Sequence, residues 1–123
     1  MLNKATHDVV LYAPTYLKEE IKKHFHKIVD RAKLTEEELQ ISLDIVYSHI
    51  IFINDAILPF ENYVNASRLV RDIDSDDVTF VALTEYLDEM LWTGDTQLYN
   101  GLKAKGFTQV VNFADLKKKY NLS

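Results

Sequence analysis

The sequence predicts an α/β fold, a parallel β-sheet sandwiched between α-helices in three layers, and three observations predict it. Short, nearly continuous apolar runs occur at Val9–Ala13, Ile50–Ile53, Met90–Thr93 and Gln109–Asn112, the pattern of strands covered on both faces. Between them, apolar residues return every three or four positions, the period of a helix with one buried side. Strands that alternate with helices in this way pair in parallel and send the helices to the two faces of the sheet. With 123 residues, no internal repeat, no Gly/Ser linker and Gly only at positions 94, 101 and 106, the chain reads as a single domain over 1–123.

The elements follow in order. After the Val9–Ala13 strand, Pro14 suits the first turn of a helix, where its missing N–H costs nothing. Tyr16, Leu17, Ile21, Phe25, Ile28 and Val29 then predict one amphipathic helix with Lys and Glu outside. Thr35 and Glu38 have capping-box spacing, and the helix they open presents Leu39, Leu43, Val46 and Tyr47 on one side. Ile50–Ile53 is the second strand. Pro59 marks a break, after which Tyr63, Ala66, Leu69 and Val70 line an inward helical face. Asp74–Asp77 supplies N-cap and first-turn acids for a helix through Phe80, Val81, Leu83 and Leu87. Met90–Thr93 is the third strand, with Trp92 expected in the core. Leu98 and Leu102 belong to a short helix that Gly106 ends. Gln109–Asn112 is the fourth strand, and Phe113–Tyr120 a final helix with a basic end.

Composition narrows the function classes. A net charge of −5 speaks against a strong, sequence-blind grip on nucleic acid, which needs clustered cations. It leaves room for a nuclease, because a carboxylate-lined metal site lowers the formal charge by itself. The absence of Cys excludes disulfides, thiolate metal sites and a cysteine nucleophile. No apolar run reaches the roughly 20 residues of a membrane span, and the first residues have no signal-peptide core. A cytoplasmic setting is the expectation.

Three acidic positions fall at or just beyond the predicted strand ends, where ligands of parallel sheets bind. Glu19 and Glu20 follow the first strand, Asp74, Asp76 and Asp77 precede the helix that leads to the third, and Asp95 follows that strand directly. Converging carboxylates suit Mg²⁺ or Mn²⁺, hard ions that prefer oxygen ligands. Such an ion activates water and stabilises the charge that develops in phosphodiester cleavage. Each acid also has an ordinary structural reading. Acids at helix starts are caps and dipole partners, and Glu19 and Glu20 among lysines read as a solvated face. His24 and His26, two apart, point to different sides of a helix and make no metal pair.

Taken together, the acids match a family pattern. Asp77-Val-Thr-Phe-Val-Ala-Leu-Thr84, preceded by Asp74, resembles the PIN-domain motif in which an Asp opens a helix of small and apolar residues. Leu91-Trp-Thr-Gly-Asp95 resembles the second PIN motif, an apolar strand ending in Thr-x-Asp. Tyr12-Ala-Pro-Thr-Tyr-Leu-Lys-Glu-Glu-Ile21 resembles the helix that carries the family's Glu before an aliphatic residue, which selects Glu20 over Glu19. The resemblance runs from Val9 to about Val111. It implies a divalent-metal-dependent nuclease acting on single-stranded RNA, with Mg²⁺ or Mn²⁺ as cofactor. Glu20, Asp77 and Asp95 would be metal ligands or water-orienting carboxylates, with Thr93 supporting the site. Many PIN domains are toxins, so an antitoxin-like protein is an implied partner.

One departure bears on activity. The family pattern begins with a central strand ending in Asp, followed by a helix, which takes on the order of 20 to 25 residues. Only seven residues precede Asp8 here. Asp8 is a poor substitute, because it stands at the start of its strand, roughly 16 Å from the end at about 3.3 Å per residue. The expectation is therefore an N-terminally truncated PIN-like domain with impaired activity, in which the flanking strands close up or another chain covers the gap. Self-association into a homo-oligomer is the form expected. The alternative is an inactive PIN-like interaction module, such as a toxin–antitoxin component.

Overall fold

The computed structural model describes residues 9–121. These residues form seven α-helices and four short strands, and the strands pair in parallel as two two-stranded sheets. The α/β class and the parallel pairing expected from the sequence are both present. Asp8 and the segment before it lie outside the described residues. The described residues group into two compact units, an N-terminal one over Val9–Asp55 and a C-terminal one from Ala56 onward.

In the N-terminal unit, strand β1 (Leu11–Pro14) pairs with β2 (Ile50–Ile53) in the register Leu11↔Ile50 to Pro14↔Ile53. Pro14 therefore ends a strand instead of opening a helix, and Thr15 takes the N-cap position. The Thr15 N–H donates to the Ile53 carbonyl at 3.0 Å. Alternate residues of a parallel strand bond to the same side, so Pro14, one residue earlier, turns its missing N–H to the outer edge, where proline is tolerated.

The single helix expected over residues 16–29 is two: α1 (Tyr16–Lys23) and α2 (Phe25–Ala32). They break at His24 (φ −105°, ψ 14°). Its N–H is shared between the carbonyls of Glu20 and Ile21, at 3.2 Å each, which tightens the turn and ends the regular ladder. Helix α3 (Glu36–Ser48) opens on the expected box. Thr35 Oγ1 accepts the Glu38 N–H at 3.0 Å, and Glu38 Oε1 accepts the Thr35 N–H at 2.9 Å. On α3, Leu39 is buried and Leu43 and Tyr47 are half-buried, whereas Val46, expected inside, is exposed. Tyr47 meets Phe52 edge-on at 5.5 Å, with the Lys18 ammonium 4.2 Å from the Phe52 ring centroid.

The C-terminal unit is built on α4 (Phe60–Val70) packed against α5 (Val78–Leu87). Ala66, Val70, Val81 and Ala82 are completely buried, and the two alanines keep bulk out of the helix contact. Asn62 and Asn65, three apart on α4, both donate to Glu85 Oε1 on α5 at 2.9 and 3.2 Å. Strands β3 (Leu91–Trp92) and β4 (Val110–Val111) pair as Leu91↔Val110 and Trp92↔Val111. Both are shorter than their apolar runs suggest, although Leu91 N–H to Gln109 O (2.8 Å) and Thr93 N–H to Val111 O (3.0 Å) extend the ladder. Trp92 is half exposed rather than in the core.

Helix α6 (Thr96–Ala104) follows β3, and α7 (Phe113–Lys119) follows β4. Gly101 sits inside α6 because Ile73 approaches it: a Cβ there would lie 2.5 Å from Ile73 Cδ1. Gly106 ends that stretch at φ +83°, a conformation glycine adopts without strain. Among the described residues, no helix is long and apolar enough to cross a membrane.

Candidate functional site

The loop between β3 and α6 is organised by Thr93 and Asp95. Thr93 Oγ1 accepts the Asp95 N–H at 3.0 Å, which fixes the turn through Gly94. Asp95 Oδ1 accepts the N–H groups of Gln97 (2.9 Å) and Leu98 (3.1 Å), the N-cap of α6. The capping reading of Asp95 is thus correct, and it engages one carboxylate oxygen. Oδ2 has no partner among the described residues, so the cap and a ligand role are compatible.

The Asp74–Asp77 run divides its labour. Asp74 Oδ1 accepts the Asp76 N–H at 2.9 Å and caps a 3₁₀ turn, Ser75–Asp77. Asp77 occupies the N-cap position of α5 without a side-chain capping bond, and it is half-buried where Asp74 and Asp76 are exposed.

Beside Asp95, at the carboxyl end of β4, Asn112 forms a second capping box. Its Oδ1 accepts the Asp115 N–H at 2.8 Å, and Asp115 Oδ2 accepts the Asn112 N–H at 3.2 Å. The Tyr99 hydroxyl donates to the same Asp115 oxygen at 2.7 Å. That bond, with the Asn112 N–H, holds the Asp115 carboxyl below its ordinary value. A small cavity of about 120 Å³ opens here, lined by Thr93, Asp95, Thr96, Tyr99, Asn100 and Asn112.

Glu20 belongs to the N-terminal unit. The Tyr16 hydroxyl, one turn earlier on α1, donates to its Oε1, and His24 Nε2 lies 3.7 Å from its Oε2. The Tyr16 N–H donates to Asp55 Oδ2 at 2.9 Å, which places a further carboxylate just past the end of β2. An isolated Asp after a strand carries no sequence motif, so Asp55 is legible only in the structure.

A PIN-domain family model matches residues 1–115. The chain belongs to the PIN-domain family. Comparison with curated proteins and with solved structures returned no match. Membership supports a nuclease-type or toxin–antitoxin-related function, in a family that is generally dependent on divalent metal.

The side chains of this PIN domain offer oxygen donors of the right type for Mg²⁺ or Mn²⁺. Among the described residues, however, no three or more His, Asp and Glu gather closely enough to hold a metal ion. Asn100, Tyr99 and Asn112 line the cavity without belonging to any of the acidic motifs. Only Asn112 left a signal, its capping-box spacing to Asp115 directly after an apolar strand.

Proposed function

We propose that this PIN domain is a divalent-metal-dependent ribonuclease acting on single-stranded RNA, of low activity, with Mg²⁺ or Mn²⁺ as cofactor. Asp77 and Asp95 are the proposed metal ligands, and Thr93 the residue that holds the Asp95 turn. The observation that carries this reading is Asp95. It lies past a parallel strand end, where such sheets bind ligands, and its cap leaves Oδ2 for another partner.

The test is cleavage of a fluorescent single-stranded RNA with Mn²⁺, comparing the wild type with Asp95→Asn. Asn caps helices as well as Asp does, so the helix survives while the charged ligand is lost. Cleavage should fall by about 10- to 100-fold. Equal Mn²⁺-dependent cleavage by both proteins would sink the assignment.

A second reading is an interaction module of a toxin–antitoxin pair. It draws on Ile41 and Ile45, one turn apart on α3 and both more than half exposed. Co-purification of a small partner protein, with no cleavage by the wild type, is the result that would favour it.

A further inference from the structure

The cavity after β3 and β4 has a lining that metal ligation does not use. Thr96 and Asn100 stand one turn apart on α6, so they share a face, and Tyr99 lies beside them. Asn112 forms another part of the wall from the end of β4. Asn100 is exposed, and its carboxamide has no hydrogen-bond partner among the described residues. Asn112 uses Oδ1 in its capping box, which leaves the two donors of Nδ2. The Tyr99 ring is held by its hydroxyl on Asp115 and flanked by the Lys103 ammonium, 4.8 Å from its centroid.

This chemistry selects among ligands. A phosphate would meet the Asp95 carboxylate and no lining cation, a poor match for an anion. A nucleobase edge carries donors and acceptors side by side, and carboxamides pair with such edges. In single-stranded RNA those edges are unpaired and free to be read. At about 120 Å³ the cavity is well below the size of sites that enclose larger ligands, and it suits one base.

We infer that this cavity is the subsite for the base of one unpaired nucleotide, with Asn100 as the residue that sets base preference. The inference rests on the ribonuclease reading, in which Asp95 at the same cavity is a metal ligand. Asn100 is a positioning and specificity residue; it takes no part in bond cleavage.

The experiment is a titration of the full ¹⁵N-labelled chain with each of the four nucleoside 5′-monophosphates in Mg²⁺, followed by NMR. At least one nucleotide should move the side-chain amide signals of Asn100 and Asn112. Asn100→Ala, on an exposed helical position where Ala is favourable, should keep the spectrum of a folded protein and weaken that binding about tenfold. The inference is overturned if no nucleotide moves these signals, or if Asn100→Ala binds equally well. RNA cleavage separates the two readings. Cleavage without an effect at Asn100 removes the subsite alone, whereas nucleotide binding at Asn100 without cleavage keeps the subsite and removes the nuclease.

Discussion

The two compact units of this PIN domain solve the same problem, a pair of parallel strands served by helices, with different degrees of closure. In the C-terminal unit, Ala66, Val70, Val81, Ala82 and Leu102 are fully buried, and the Asn62/Asn65 pair on Glu85 ties α4 to α5. In the N-terminal unit, Leu39 is the one buried residue on three helices, while Ile41, Ile45, Val46 and Ile51 stand about half exposed. Equal apolar periodicity has produced unequal burial. Periodicity tells which face of a helix is apolar; it does not tell what covers that face.

The largest effects should come from the closed unit. Leu102→Ala should cost about 3 kcal/mol in urea denaturation, from lost burial plus the cavity left behind. Ile45→Ala, at an exposed position, should stay within about 0.5 kcal/mol. Equal losses would break the contrast between the units.

The helix caps provide a control, because each unit carries one of similar design. Thr35→Ala in the N-terminal unit and Asp95→Ala in the C-terminal unit should each cost about 1 kcal/mol. Asp95→Asn should cost almost nothing, which separates the capping role of Asp95 from its proposed ligand role. A change of opposite sign is expected at Lys33, the C-cap of α2, held at φ 56° in the left-handed region. Lys33→Gly should stabilise by up to about 1 kcal/mol, since glycine carries no Cβ penalty there.

The smallest effect is in pH. Glu38 is held below its ordinary value by the Thr35 N–H and hydroxyl, and Asp115 by the Tyr99 hydroxyl and the Asn112 N–H. A carboxyl depressed in the folded state contributes stability above its unfolded value and loses it as pH falls through the folded one. Both boxes should therefore weaken as pH falls below about 4. Glu38→Gln, measured by thermal melts between neutral and acid pH, should flatten part of that acid loss. An unchanged slope would contradict the box as an electrostatic contact.

How legible this was depended on how local the physics was. The Thr35–Glu38 box, the Ile50–Ile53 strand and the Asp95 cap are short-range patterns, and the structure contains each of them. The break at His24 was invisible because no Gly or Pro marks it; it lies in one shared hydrogen bond. Val46 and Trp92 were placed inside because apolar residues on a predicted buried face have no signature of exposure. The two Asp motifs and Thr93 stand out by residue order and spacing, and the structure puts Thr93 and Asp95 in one turn. The Asn100–Asn112 cavity does not stand out, because it is made by two strand ends that only the parallel pairing of β3 with β4 brings side by side.

The central claim, that Asp77 and Asp95 serve one metal, is tested most directly by Mn²⁺-induced broadening of backbone amide signals at substoichiometric ion. The account predicts selective broadening of the amides around Asp77 and of those from Thr93 to Leu98 in the wild type, lost at both places in Asp95→Asn. Broadening spread over the surface acids, or retained around Asp77 after that substitution, would contradict it.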